Sequence, residues 1–172
     1  MKQQLEHDEV SLVMAAPPQA VYDLIADVTR MPEFSPYITK IEWLDGATEA
    51  AVGARFKATN SMGRKAFPDW NNKPVITVVD PGREIAWERT ELGAGTIEWR
   101  YRFEPHDGGT RVVESYRVVK PLTAFGWFII GTLAGIDDDA TTLRTGMAET
   151  LRRIKAVVEQ RTDAALNVRG FE

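Results

Sequence analysis

The stretch that decides the fold is DDDATTLRTGMAETLRRIKAVVEQ, residues 137–160. Its apolar residues recur at intervals of three and four, which places them in one stripe along an α-helix. Acidic residues open the segment and basic residues crowd its second half, as the helix dipole favours. Such a helix needs a sheet against which to bury its stripe. The stripe consists of Leu143, Met147, Leu151, Ile154 and Val158.

The chain before this helix supplies the sheet. Alternating residues at 9–14 predict a first strand that Pro17-Pro18 ends, and a helix is predicted at 18–26 because proline suits a first turn. Residues 29–37 contain two prolines and leave room for one short helical turn. No helical period follows between residues 38 and 119. Strands are predicted at 38–44, 54–59, 74–79, 85–90, 96–104 and 111–119, with a loop at 60–72.

This order of elements predicts an α+β domain. A curved antiparallel sheet of about seven strands would bury one face under the long C-terminal helix, with two short helices after the first strand. The length of 172 residues fits one domain. The domain is predicted at residues 8–161, with terminal tails at 1–7 and 162–172.

Composition excludes several classes of function. The net charge of −4 gives no general attraction to nucleic acid or anionic membranes. The absence of cysteine excludes disulfides, thiolate catalysis and cysteine metal sites, and it fits a reducing compartment. The most apolar run, 122–136, is shorter than the roughly 20 residues that span a membrane, and residues 1–7 show no signal-peptide core. These features predict a cytoplasmic protein without stable membrane insertion.

The sequence shows no motif for a metal or an organic cofactor. His7 near the terminus and His106 in a predicted turn are the two histidines, and neither has a partner at metal-site or catalytic-triad spacing. Gly93-Ala94-Gly95 precedes a strand, so it is interpreted as a turn rather than a dinucleotide site. We therefore expect neither a metal nor a cofactor.

Alternation sorts the residues of the last three strands into two faces. Ala86, Glu98, Arg100 and Arg102 are expected to face outward. The other face is expected to point toward the long helix, and alternation places an acid, Glu114, on it. The predicted inner residues are Ile85, Trp87, Arg89, Ile97, Trp99, Tyr101, Phe103, Val112, Glu114, Tyr116 and Val118.

The hairpin turns predict how these strands pair. Folding about Gly93 places Trp87 opposite Trp99, and folding about Asp107 places Trp99 opposite Glu114. The neighbouring row is predicted to contain Arg89, Ile97 and Tyr116.

Charged residues on an inner face need an explanation, because a buried charge costs several kcal/mol unless it is paired or hydrated. One interpretation is a structural ion pair between Glu114 and Arg89, or an Arg89 side chain that reaches solvent at the strand end. The other is an incompletely filled pocket between sheet and helix, apolar with a few polar anchors, as small-ligand sites are. The predicted lining is Phe56, Trp87, Arg89, Trp99, Tyr101, Glu114, Tyr116, Met147 and Leu151.

The same pocket could support a reaction. Glu114 in apolar surroundings would have a raised pKa, which suits proton transfer. Tyr116 or Arg89 could stabilise an enolate oxygen in an aldol-type cyclisation. Glu114, Arg89 and Tyr116 are therefore the candidate catalytic residues.

Several segments, in order and at suitable spacing, resemble a known family. They are MAAPPQAVY (14–22), DVTRMPEFSP (27–36), IEWLDG (41–46), VGARF (52–56), DPGRE (80–84) and GGTRV (108–112). The chain, from about residue 8 to 160, resembles the polyketide cyclase/dehydrase-like branch of the START-related, Bet v 1-like helix-grip superfamily (SRPBCC proteins). This family includes lipid and sterol carriers, cyclases and quinone-binding chaperones. The resemblance implies a hydrophobic pocket between the curved sheet and the C-terminal helix.

Three functional hypotheses follow. The preferred one is a protein that binds or carries a hydrophobic small molecule, such as a lipid, polyketide or quinone, with a homodimer left open. The second is a cofactor-independent cyclase or dehydratase, a lyase or isomerase. The third is an interaction module that uses the apolar segment 122–136, whose alternative interpretation is a lid or buried turn. Gly146, within the long helix, is interpreted as a site of close approach or local flexing near the pocket mouth.

Overall fold

The computed structural model describes residues 6–61, 63, 68–91, 95–121 and 139–169. These residues form eight strands and three α-helices. The elements are β1 (His7–Met14), α1 (Pro18–Ala26), a 3-10 turn (Val28–Arg30), α2 (Met31–Phe34), β2 (Ile38–Trp43), β3 (Phe56–Asn60), β4 (Trp70–Asn72), β5 (Val75–Asp80), β6 (Glu84–Glu91), β7 (Gly95–His106), β8 (Gly109–Lys120) and α3 (Asp139–Arg169).

The strands are antiparallel and lie in the order β1-β8-β7-β6-β5, with β2-β3-β4 as a second sheet. Backbone hydrogen bonds join the two sheets, since Ile76 N–H donates to Ala54 O at 2.9 Å and Phe56 N–H donates to Pro74 O at 3.2 Å. Pro74 has no N–H to offer and separates β4 from β5. The predicted α+β helix-grip fold is confirmed, with α3 packed on one face of the curved sheet.

Most element boundaries follow the local pattern, and two differ from it. Helix α1 has the predicted bounds. A short strand, β4, lies in the segment predicted as a loop. Helix α3 begins at Asp139 and continues to Arg169, so residues 162–169, predicted as part of a terminal tail, are helical. No glycine or proline interrupts the chain between Met147 and Gly170, which explains the extension.

The core lies between the concave face of the sheet and the helices. The second half of the predicted stripe of α3 is buried there, with Leu151 and Ile154 at 0% exposure, and it packs in one cluster with Val21 and Ile25 of α1. A second, smaller cluster lies under the first half of α3. Its buried members are Ile97, Tyr116 and Met147.

Two residues predicted to face outward are buried on the outer side of the sheet. Ala86 is fully buried and Glu98 is 7% exposed. Glu98 accepts hydrogen bonds from Arg100 at 3.2 and 3.3 Å and from Arg117 at 3.4 Å. Arginine side chains that lie across a sheet cover small neighbours with their aliphatic stems. Both residues lie on the outer side of the sheet, as predicted, and neighbouring side chains on that side bury them.

Candidate functional site

The pairing of the last three strands sets the geometry of the concave face. Trp87 lies opposite Trp99, as predicted. Trp99, however, lies opposite Tyr116, and Glu114 lies opposite Tyr101, so the predicted pairing of Trp99 with Glu114 was wrong by two residues. In the neighbouring row, Ile97 faces Arg89 as predicted but pairs with Val118 instead of Tyr116.

The turn between β7 and β8 explains the error. Asp107 and Gly108 both have positive φ angles, 42° and 79°, and His106 pairs with Gly109. Two consecutive residues with positive φ form the type I′ turn that closes two-residue hairpins. The hairpin therefore folds between residues 107 and 108, whereas a pairing of Trp99 with Glu114 requires a turn centred between residues 106 and 107, and this shift of one position changes the pairing by two residues.

The correct register brings a phenol and an acid together inside the protein. The hydroxyl of Tyr101 donates to Oε1 of Glu114 at 2.7 Å. The two residues are 2% and 4% exposed. The second carboxyl oxygen, Oε2, is buried and meets no hydrogen-bond donor in the described parts of the chain.

Burial is the main cause of the shifted pKa values of Glu114 and Tyr101. Loss of hydration raises the pKa of Glu114 to about 8, although the hydrogen bond from Tyr101 acts in the opposite direction. Burial, reinforced by the neighbouring carboxyl, also raises the pKa of Tyr101 well above its usual value. At neutral pH the pair is therefore mainly a phenol and an uncharged carboxylic acid.

Aromatic rings cover the face beside this pair. The ring of Trp87 lies 5.6 Å from that of Tyr101 and 5.9 Å from that of Phe56, and the rings of Trp99 and Tyr116 are 5.7 Å apart. Trp87 and Tyr116 are buried, yet Trp99 between them keeps part of its surface accessible. A partly accessible ring in the middle of an otherwise buried row indicates that the described part of α3 does not cover the face completely.

The partly accessible surface around Trp99 is apolar. Val10 of β1, Val118 of β8 and Leu143 of α3 are only partly buried and pack around the smaller cluster. These side chains mark the place where β1 and β8 meet the first half of α3. Open apolar surface at such a junction is the setting in which small-molecule sites occur.

The predicted site residues divide into groups. Phe56, Trp87, Tyr101 and Leu151 belong to the main core, and Trp99 packs against both clusters. Tyr116 and Met147 belong to the smaller cluster. Glu114 joins Tyr101, and Arg89 is partly buried near the end of β6.

The alternative of a Glu114–Arg89 ion pair does not fit the register. Glu114 shares a row with Tyr101 and Ile85, and Arg89 is four residues farther along β6, two strands away from β8. Strand spacing and rise place the two residues roughly 16 Å apart. Arg89 is therefore not brought to Glu114, whereas Tyr116 lies two residues from Glu114 on the same face of β8, and Tyr101 lies directly opposite Glu114.

Two asparagines whose side-chain amides are buried on the concave face were not predicted from the sequence. Asn60 and Asn72 are each 7% exposed, and Oδ1 of Asn72 meets no hydrogen-bond donor in the described residues. The sequence could have predicted that Asn60 faces inward, because Asn60 continues the alternation of Phe56 and Ala58 along β3. Alternation could not predict the burial of Asn72, because β4, the strand that contains it, lies in a segment predicted to be a loop.

A surface groove of about 510 Å³ lies outside the concave face, between α1 and the end of α3. Its lining includes Leu24 and Val158, with Asp23 and Arg161 among the polar residues. No sequence pattern predicted it, because the groove depends on the extension of α3 past Gln160.

Some predictions fall outside the structure's description. The apolar segment 122–136 lies outside the described residues, as do Asp137 and Asp138. Among the helices described, none has the length and apolar character needed to cross a membrane. Within the same residues, no three His, Asp or Glu side chains are grouped so that they could hold a metal ion.

The sequence profile of a family described as polyketide cyclase/dehydrase and lipid transport matches residues 8–159. The chain belongs to this family. The match covers most of the chain and confirms the resemblance that the sequence segments carried. No match was found among curated protein sequences.

Solved structures show the same fold in other members and relatives of the polyketide cyclase/dehydrase family. A polyketide-cyclase-like protein from Corynebacterium glutamicum is 29% identical, with a TM-score of 0.59, and the match covers 95% of this chain and 97% of that one. The ZhuI aromatase/cyclase from a Streptomyces species is 20% identical, with a TM-score of 0.66 and coverage of 92% and 96%.

A larger relative contains the fold as one part. The di-domain aromatase/cyclase StfQ from the steffimycin biosynthetic pathway is 15% identical and has a TM-score of 0.73. The match covers 93% of this chain but 52% of StfQ, so this chain spans about half of that protein's length.

Proposed function

We propose that this member of the polyketide cyclase/dehydrase family binds a hydrophobic small molecule between the concave face of the sheet and α3. The observation that carries the proposal is the accessible surface of Trp99, in a row whose neighbours Trp87 and Tyr116 are buried. Apolar surface of an indole that stays accessible to water in the middle of an inner face is unfavourable unless another apolar group covers it.

The chemistry of the face defines the class of ligand. The rings of Phe56, Trp87 and Trp99 offer stacking and edge-to-face contacts. Glu114 is mainly uncharged at neutral pH, so the polar group on this side suits a neutral ligand. A polyketide-like or other lipophilic ring compound satisfies both conditions, and the family's description includes cyclisation and lipid transport.

The proposal also defines the cellular role. The protein would act in the cytoplasm as a carrier or binding protein. It would not bind nucleic acid or insert stably into a membrane. A homodimer is compatible with this role, because the proposed ligand contacts come from a single chain.

Native mass spectrometry tests the proposal. We expect a non-covalent ligand, or added 2-naphthol, to bind the purified protein, and Trp99→Leu to reduce its occupancy several-fold. Val13→Ser is the control, because Val13 is 42% exposed and lies on the opposite side of the sheet. Unchanged occupancy in Trp99→Leu, or no bound molecule in either condition, would contradict the proposal.

A second candidate function is a cofactor-independent cyclase or dehydratase. The buried Tyr101–Glu114 pair favours it, because an uncharged carboxyl with one unpaired oxygen can serve as a general acid toward a ligand hydroxyl. The test is Glu114→Gln, which keeps an acceptor for Tyr101 but cannot transfer the proton. Turnover of the identified ligand should then fall at least 100-fold, and unchanged turnover would exclude this role.

A further inference from the structure

Two buried asparagines lie together on the concave face of the β2-β3-β4 sheet. Ala58 lies opposite Asn72, and Asn60 lies opposite Trp70 in the next row. Asn60 and Asn72 are therefore diagonal neighbours on adjacent strands and point to the same side. That side is the concave one, since Phe56 alternates with them on β3 and its ring contacts Trp87.

One of the two amides keeps an unpaired atom in the interior. Oδ1 of Asn72 is buried without a hydrogen-bond donor in the described chain. The side-chain NH₂ of Asn60 donates only a 3.3 Å hydrogen bond to the Ala58 carbonyl of its own strand, among the described contacts. A buried polar atom without a partner is costly, and the great majority of such atoms in folded proteins have one.

We propose that Asn72, with Asn60 beside it, is a second polar anchor of the ligand site and accepts a hydrogen bond from a ligand hydroxyl. This inference rests on the proposed function and adds the chemistry of the ligand to it. The unpaired atom is an acceptor, so the anchor favours a ligand group that donates, such as a hydroxyl or a phenol, over a carboxylate, which only accepts. The unpaired carbonyl oxygen of Asn72 requires a donor.

The anchor lies at a distance from the Tyr101–Glu114 pair. Asn72 continues the line of β5, which lies three strands from β8. It is also six residues along the strands from the row of Ile85, Tyr101 and Glu114, so the two polar positions are roughly 24 Å apart. Phe56 and Trp87 lie between the two polar positions. A ligand that reaches Asn72 therefore places its apolar body on these rings and its hydroxyl at the β4 side.

Two matched bicyclic probes test the anchor by isothermal titration calorimetry. They are 2-naphthol, which carries a hydroxyl donor, and 2-methoxynaphthalene, which has the same ring system without the donor. We expect the wild-type protein to bind 2-naphthol about tenfold more tightly, the factor that one buried neutral hydrogen bond contributes. Asn72→Leu should abolish this preference by weakening 2-naphthol binding alone.

Asn71→Leu is the control, because Asn71 is the exposed neighbour on the other face of β4. It should keep the tenfold preference. If Asn72→Leu does not fold, Asn72→Asp serves instead, since it retains the acceptor oxygen and should keep the preference for 2-naphthol.

The outcomes separate the two proposals. Equal affinity for both probes in the wild-type protein, a preference that survives in Asn72→Leu, or its loss in Asn72→Asp would overturn the anchor and leave the binding site in place. Failure of both probes to bind would overturn the binding site and the anchor together.

Discussion

Tyr37 packs directly against α3 at Gly146, so closely that a Cβ at position 146 would lie 2.6 Å from Cε2 of the tyrosine ring. The hydroxyl of Tyr37 donates to the Thr142 carbonyl one turn earlier, at 3.3 Å. The Gly146 carbonyl accepts a hydrogen bond from the Thr150 hydroxyl at 2.9 Å. The interpretation of Gly146 as a site of close approach is therefore correct, and the approaching group is Tyr37.

The methyl group that Gly146→Ala adds should overpack the Tyr37 contact at a cost of about 1–3 kcal/mol. Alanine brings about 1 kcal/mol to a helix interior, so the net loss of stability should be up to about 2 kcal/mol. Urea denaturation of the wild type and the variant measures the difference.

The control is the same substitution made in a Tyr37→Leu variant, which lacks the aromatic ring. There Gly146→Ala should be neutral or stabilising. An equal effect of Gly146→Ala in both backgrounds would show that the ring contact does not limit this position.

The stability of the protein should fall as the pH rises from about 4.5 to 8, because Glu114 has a higher pKa in the folded state than in the unfolded chain. In this window the folded state retains a proton that the unfolded state has released, so each pH unit lowers the free energy of unfolding by about 1.4 kcal/mol. Above pH 8 the contribution of this group becomes constant.

Glu114→Gln removes the titrating group, and its free energy of unfolding should lack this slope. Chemical denaturation at half-unit pH intervals compares the two proteins. Parallel pH profiles for wild type and variant would show that Glu114 does not change its pKa on folding.

Tyr101→Phe should raise the pKa of Glu114 further above 8, since the lost hydrogen bond is the interaction that lowers it. The variant also leaves Oε1 of Glu114 without its donor, which should cost about 1–3 kcal/mol at pH 6. Carbon-13 NMR titration of labelled glutamate side chains follows the carboxyl group. A lower Glu114 pKa in Tyr101→Phe would contradict the described hydrogen bond.

Two adjacent glycines in the β7–β8 hairpin should respond differently to alanine. Gly108 has a φ of 79° and open space around it, so Gly108→Ala should cost about 1–2 kcal/mol through backbone conformation alone. At Gly109 a Cβ would lie 2.2 Å from the Met14 carbonyl oxygen of β1, so Gly109→Ala should cost more and displace the edge strand. Thermal denaturation ranks the two variants, and a smaller loss for Gly109→Ala would contradict this packing.

Local patterns were sufficient to predict most of the elements. The helix at Pro18–Ala26 and the inward set of Trp87, Trp99 and Tyr101 were correctly predicted, because periods of 3.6 and 2 depend only on neighbouring residues. The end of α3 was missed because its strongly apolar stripe ends at Val158, whereas a helix continues until a breaker stops it.

The sequence by itself determined the order of the helices and of all strands except β4, and the presence of one acid among the inward aromatic residues. The tertiary structure alone decided that Tyr101 is the partner of Glu114, that Tyr37 meets Gly146 and that Asn72 is buried. The reason is physical. Strand alternation is a property of consecutive residues, whereas the register across β7 and β8 depends on the backbone conformation of a two-residue turn. Burial likewise depends on which distant segments pack together, which no local period encodes.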